Sequence, residues 1–297
     1  MPQAPQEPVV PPAPGPRFGL SAAPRSVPMV CLHSANIAKA PYFDLGNIAG
    51  QLGYEGVDLT VYIGGHVDPR VTNVDLIRAF ESIRGAGLEV PMITTAINTP
   101  LDPTIYPVLY LTGHSQIPLF RLGLWKYGTE PIELRLAAIR QDLARILATA
   151  QASGIAAMFQ NRAGGYVGQA TWDAQTAVGL FDPRWLGYCF DPAEAMIEGG
   201  AGGWHTALRL ALPRLKSVSL QDFRWEKGPE GWAVRKCPLG EGMVEWPVFF
   251  DMLAAARFSG PMSVRMEYPV EDAFGAMTKD AEFVKGWIQR AWGRKAG

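Results

Sequence analysis

Cysteine, histidine and net charge are all scarce in this chain. Of its 297 residues only three are cysteine (Cys31, Cys189 and Cys237), and no two of them form a C-x-x-C pair. A zinc knuckle is thereby excluded, and an odd count argues against a disulfide framework. Cys31 and Cys189 sit in apolar runs, where buried free thiols are common, so reduced thiols and a cytoplasmic location are expected. The formal charge is −1, with 27 basic against 28 acidic residues, which leaves no electrostatic footprint for DNA or RNA. No apolar run reaches the ~18 residues of a membrane-spanning helix. No G-x-G-x-x-G or G-x-x-x-x-G-K-[ST] follows the first apolar run, so the usual argument for a nucleotide-binding open sheet is missing.

What the chain has is hydrophobic mass, 48% of its residues, enough for one large α/β domain. Residues 1–27 are Pro-rich, with neither a basic start nor an apolar h-region. They read as an extended, flexible tail rather than a secretory signal. From residue 28 to 297 one barrel domain is expected. Its strands are "MVCLHS" (29–34), "GVDLTV" (56–61), "VPMITT" (90–95), "IPLFRLGL" (117–124), "AAMFQN" (156–161), "LGYCFD" (186–191), "SVSLQDF" (217–223) and "GPMSVRMEY" (260–268). Their near-continuous apolar content suits parallel strands covered on both faces. Helical spacing fills the intervals: 74–88 carries Leu76, Phe80 and Ile83 on one stripe, and 133–154, 246–260 and 280–293 follow. Eight strands alternating with helices predict a (β/α)8 TIM barrel, with a doubly wound open sheet as the alternative.

In such a barrel the active site forms at the C-terminal ends of the strands. Those ends supply His33, then His66 in the following loop, Thr94 and Thr95, Arg121 with Lys126 and Tyr127 beyond, Gln160 with Asn161 and Arg162, Asp191 with Glu194, Ser219 with Gln221 and Asp222, and Arg265 with Glu267. Several carboxylates on one buried rim are costly unless a cation, an Arg or Lys, or a proton neutralises them. Each residue also has a plain structural role open to it. Asp191 could cap the next helix, His66 could bond to a loop backbone, Asp222 could pair with Arg224 or Lys227, and Glu267 could pair with Arg265.

Seven segments carry a resemblance. "GYEGVDLTV", "GLEVPMITT", "FQNRAGGYVG", "FDPAEAMIEGG", "QDFRWEK", "PLGEGMVEWPVFF" and "GPMSVRMEYP", in this order, resemble the sugar phosphate isomerase/epimerase family, the xylose isomerase-like TIM barrels. The resemblance implies a divalent metal, Mn²⁺, Mg²⁺ or Zn²⁺, held by Glu, Asp, His and Glu at the ends of strands five to eight. Carried over, Asp191 and Glu267 match two of these metal ligands, while Gln160 and Ser219 stand at the strand-five and strand-seven positions. Glu194 stands where relatives carry His in an Asp-x-x-His pattern. Two readings stay open: a hard cation on Asp191 and Glu267 with waters and Glu194, or a metal-free site in which Arg162 or Arg265 supplies the counter-charge.

The first functional reading is an isomerase or epimerase acting on a sugar, cyclitol or keto-sugar by proton transfer next to a carbonyl. Glu267, Glu194, His66 and Lys126 are then the catalytic candidates, and Arg121, Gln160, Asn161, Arg162, Asp222 and Arg265 the substrate-binding ones. A keto-sugar lyase or dehydratase uses the same first step. A divergent, non-catalytic sugar-binding barrel is the contrasting reading, since nine Trp and nine Tyr offer flat stacking surface. DNA repair by a histidine-rich zinc cluster, known among relatives, is a third reading that neither the four histidines nor the near-neutral charge supports. The partner expected is a small carbohydrate, with no nucleic acid and no membrane, and a possible homo-oligomer.

Overall fold

The structure, a computed structural model, describes residues 25–293. The expected tail over 1–27 therefore falls outside the described residues except for its last three. The strands are β1 (Met29–His33), β2 (Gly56–Val61), β3 (Glu89–Thr95), β4 (Leu119–Arg121), β5 (Ala156–Gln160), β6 (Leu186–Phe190), β7 (Leu215–Leu220), β8 (Asp222–Gly228), β9 (Gly231–Cys237) and β10 (Pro261–Val264). Eight of them close a barrel in the order β1-β10-β7-β6-β5-β4-β3-β2, and β8 and β9 form a separate antiparallel hairpin. Every barrel pairing is parallel. The closed barrel settles the choice against an open sheet.

The helices are α1 (Leu45–Gln51), α2 (Thr72–Gly85), α3 (Ile105–His114), α4 (Ile132–Ser153), α5 (Trp172–Val178), α6 (Pro192–Ala211), α7 (Trp246–Ala255) and α8 (Ala273–Gly293). The stripe Leu76, Phe80 and Ile83 is buried against the barrel, as its spacing requires. α4 stops at Gly154, whose φ of +72° is the left-handed cap that glycine adopts at least cost. α7 ends before the expected Gly260, because the chain reverses through Arg257. Among the described residues no helix is long and apolar enough to cross a membrane.

Strand alternation separates two cores. Residues pointing outward join the large core under the helices. Met92, Leu119, Ala156, Met158 and Cys189 form a small cluster apart from it, the apolar plug inside the barrel. Ser217 Oγ lies 3.0 Å from the Met158 sulfur although β6 stands between their strands, so both side chains point inward. Two residues further along the same strands come Thr94, Arg121, Gln160 and Asp191. Period-two geometry therefore stacks a polar layer on the apolar plug, at the C-terminal mouth.

The hairpin β8–β9 was not among the expected elements, and it explains the "PLGEGMVEW" segment. Asp222, the first residue of β8, accepts hydrogen bonds at Oδ1 from the N–H of Phe223 (2.8 Å) and Val244 (3.2 Å). At Oδ2 it accepts from Gly240 N–H (3.0 Å), Gly242 N–H (3.2 Å) and Trp246 Nε1 (2.8 Å). The loop after the hairpin is thus wound around one carboxylate. Gly242 must be glycine here, since a Cβ would lie 2.0 Å from Asp222 Oδ1. Trp246 packs edge-on to Phe249 and Phe283, tying the loop to α7 and α8. Asp222→Ala should lower unfolding stability by at least about 3 kcal/mol, because each stranded buried donor costs about 1–3 kcal/mol. Urea denaturation measures this, and a loss below about 1 kcal/mol would refute the assignment.

Candidate active site

A charge in the middle of an apolar strand starts the site. Asp58 of β2 is 2% exposed. Its Oδ2 accepts from His33 Nδ1 of β1 (2.8 Å) and from Ser263 Oγ of β10 (2.7 Å), and its Oδ1 from Thr94 Oγ1 of β3 (2.8 Å). Burial pushes the Asp58 carboxyl up, but His33, Arg121 and the Ser263 hydroxyl outweigh it and hold it below the usual carboxylate range. For His33 burial dominates over Asp58, and Arg265 and Arg121 add to it, so its pKa falls and the ring is neutral near pH 7. A carboxylate acceptor fixes the proton on Nδ1 and leaves Nε2 as a free lone pair, without a partner among the described residues.

A second acidic pair sits across the mouth. Asp191 caps α6, accepting the Glu194 N–H at Oδ1 (3.1 Å). Gln221 Nε2 donates to Asp191 Oδ2 (2.6 Å) and to Glu194 Oε1 (3.0 Å), bridging the two carboxyls. Lys236, on β9, places its Nζ 2.8 Å from Glu194 Oε1, and the Ala163 N–H donates to Glu194 Oε2 at 3.1 Å. Burial, and then Glu194, push the Asp191 carboxyl up to about 6, against the opposing pull of Lys236, the Glu194 N–H and Arg265.

Guanidinium groups complete the ring. Arg121 donates through Nη1 to Gln160 Oε1, and Arg265 through Nη2 to Glu267 Oε1 at 2.5 Å. Burial would raise Glu267, but Arg265, and then Arg162 and Lys236, hold it below its usual value. Arg265 feels Glu267, Asp191 and Asp58 together, so these carboxyls lie within electrostatic reach of one guanidinium.

Asp191, Glu194, Gln160, Arg121, Arg162, Arg265 and Glu267 converge on the mouth. Other candidates are committed elsewhere. Asp222 belongs to the loop it organises, not to the cup. Asn161 exchanges two hydrogen bonds with the Asp191 backbone, at 2.9 and 2.8 Å, so its amide positions Asp191. His66 donates from Nε2 to the Ile37 carbonyl (3.2 Å) and accepts at Nδ1 from Thr60 (3.3 Å), so both nitrogens serve its loop. Lys126 is exposed and lies 5.3 Å over the Tyr166 ring. The residues missed were Asp58 and Lys236, while His33 and Gln221 were placed at strand ends without their roles as the partner of Asp58 and the bridge between Asp191 and Glu194. Asp58 could have been found as a carboxylate within "GVDLTV"; Lys236 could not, because its hairpin was not expected.

The family model for xylose isomerase-like TIM barrels matches residues 110–287, more than half of the chain. This protein belongs to the xylose isomerase-like TIM barrel family. No curated protein sequence matches it. Among solved structures, an L-ribulose 3-epimerase superposes with a TM-score of 0.70 at 15% identity, covering 91% of this chain and 97% of that one. A 3-keto-D-glucoside 4-epimerase from E. coli gives 0.70 at 12%, over 87% and 99%. A xylose isomerase-like TIM barrel protein from Mycobacterium smegmatis, in complex with magnesium, gives 0.68 at 12%, over 90% and 97%. At such identities the likeness is one of fold.

The donor set of this xylose isomerase-like barrel does not fit a divalent ion. Gln160 Oε1 is held by the Arg121 guanidinium, and Ser219 offers only a hydroxyl. Both Asp191 oxygens take N–H donors, and Glu267 is paired with Arg265. Among the described residues no group of three or more His, Cys, Asp or Glu side chains is placed to hold a metal. Donors and a fixed positive charge stand where a cation would need lone pairs. Dialysis against EDTA and return of Mn²⁺ or Mg²⁺ should therefore move the melting temperature by less than about 1 °C, against the larger shift of a tight ligand. Stoichiometric metal that Asp191→Asn releases would restore the metal reading.

The raised Asp191 pKa gives a second test. A carboxyl with a native pKa of about 6 against an ordinary 3.8 contributes stability that is complete below the lower value and lost as pH rises through the higher. The melting temperature of the wild type minus that of Asp191→Asn should fall between about pH 4 and pH 7. A difference independent of pH would remove the shift.

Proposed function

We propose that the barrel mouth isomerises or epimerises a polyhydroxylated carbonyl compound by moving a proton on the carbon next to the carbonyl. The observation that carries this is a set of acid/base groups tuned apart around one cup. Glu267 is held ionised, His33 is neutral with a free Nε2, and the Asp191 carboxyl titrates near 6. Groups whose environments push their pKa values apart are how one site runs acid and base chemistry near neutrality.

In this reading Glu267, or His33 through Nε2, removes the proton. The electron pair left on carbon passes to the carbonyl oxygen and forms an enediolate. The positive field of the ring, to which Arg265 and Arg121 contribute, stabilises that oxyanion in a shielded site. Asp191 returns a proton, to the opposite face of the same carbon for epimerisation, or to the neighbouring carbon for isomerisation, in which case the hydroxyl proton of the first carbon passes to the former carbonyl oxygen as the new C=O forms. Glu194, Gln221 and Asn161 position Asp191 and do not act on substrate. Loss of a β-hydroxyl from the same intermediate would give dehydration instead, so the products decide between them.

Incubation with a panel of ketoses and keto-glycosides in D2O should give exchange at the carbon beside the carbonyl, followed by proton NMR. Asp191→Asn and Glu267→Gln should each slow exchange by about 10²-fold or more. An exchange rate unchanged in both variants would refute the proposal.

A further inference from the structure

The charges at the mouth, of which Glu267 is exposed, are not equally satisfied. Glu194 has Lys236 at 2.8 Å, Glu267 has Arg265 at 2.5 Å, and Asp58 accepts from three donors. Arg121 has only the neutral oxygen of Gln160, and no carboxylate is in ion-pair contact with it among the described residues. Its Nε is shielded from solvent and bonded to nothing. Arg265 uses Nη2 alone; its Nε and Nη1 are likewise shielded and without acceptors. Two neutral donors beside them are in the same condition, Gln160 Nε2 and Ser219 Oγ, each on a residue 2% exposed.

Arg121 touches no carboxylate, and burial together with the nearby Arg265 charge outweighs the pull of Asp58 on it, so its guanidinium is under-compensated in the closed barrel. Two planar forks with free N–H groups match the oxygens of a carboxylate or phosphate, which can accept bidentately from each. A neutral hydroxyl would satisfy one or two donors and leave the charge unmatched.

We propose that the substrate of this cup is an anion, a polyhydroxylated carbonyl compound bearing a carboxylate or phosphate that Arg121 and Arg265 hold from β4 and β10. This rests on the mouth being the substrate cup of the proposed isomerase or epimerase, and it narrows the substrate to a charged class. Gln160 and Ser219 supply further hydrogen bonds to the same group or to a hydroxyl beside it.

Isothermal titration at constant ionic strength with D-glucuronate, D-fructose 6-phosphate and D-fructose tests it on the full chain. At least one anion should bind ten times or more tighter than neutral D-fructose, and the two anions tell carboxylate from phosphate. Arg121→Gln and Arg265→Gln should each abolish that preference, while Arg145→Gln, an exposed arginine on α4, should leave it intact. Arg121→Lys keeps the charge without the fork and should weaken the preference without ending it, which covers the case of a misfolded glutamine variant. Equal or tighter binding of D-fructose, or a preference that survives both glutamine variants, overturns the proposal. Binding is read without turnover. An anion that binds in this way yet shows no exchange in D2O counts against the proton-transfer reading and supports the anion assignment. Exchange on D-fructose with no anion preference does the reverse.

Discussion

A carboxylate in the middle of a buried strand must be matched from inside the barrel, and Asp58 is matched from three strands at once. His33, Thr94 and Ser263 come from β1, β3 and β10, so the hydrogen bonds on Asp58 lock one arc of the mouth. The lock has a chemical by-product. It puts the His33 proton on Nδ1 and turns Nε2 into a base that burial keeps neutral. The stability of the ring and the availability of a base are thus one arrangement seen from two sides.

Charge on the opposite arc is balanced by protein groups. The resemblance implies a divalent ion gathering carboxylates from neighbouring strands. Here Arg265 and Lys236 stand among Asp191, Glu194 and Glu267. A guanidinium spreads its charge over a plane and donates along fixed directions, whereas an ion accepts lone pairs from all sides. Replacing one by the other keeps the electrostatic pull on a developing oxyanion while changing which groups can coordinate. Gln160 and Ser219 fit this exchange, since neither brings a negative charge that a guanidinium would have to neutralise.

The barrel was legible because its signal is collective. Near-continuous apolar runs at regular intervals survive errors at their ends, as the short β4 and β10 show. The make-up of the mouth was legible where side-chain type and strand end coincided, as for Asp191, Arg121 and Glu267. It was not legible where the partner is backbone. Asp222 was expected to meet Arg224 or Lys227 or a substrate, yet most of its partners are peptide N–H groups of the following loop, which leave no trace in residue type. Lys236 was hidden for a different reason: the hairpin carrying it is partly exposed and lacks the continuous apolar run of a barrel strand.

That hairpin is also what makes Glu194 tolerable. An Asp-x-x-His pattern would set a neutral ring beside Asp191, whereas Asp-x-x-Glu adds a second buried carboxyl one turn away. Gln221 can donate to both but carries no charge, so the repulsion needs an ammonium, and β9 delivers Lys236 to it. The effect on Asp191 is graded. Burial, and then Glu194, push its pKa up and Lys236 pulls it down, so the distance of the hairpin from α6 tempers how far Asp191 is raised. A hairpin drawn away from the mouth would leave Asp191 protonated at higher pH, and one held close keeps it near the middle of the range in which it can both give and take a proton. The glutamate at position 194 and the lysine at 236 therefore belong to one adjustment, made across two elements that pack against each other only in the folded barrel.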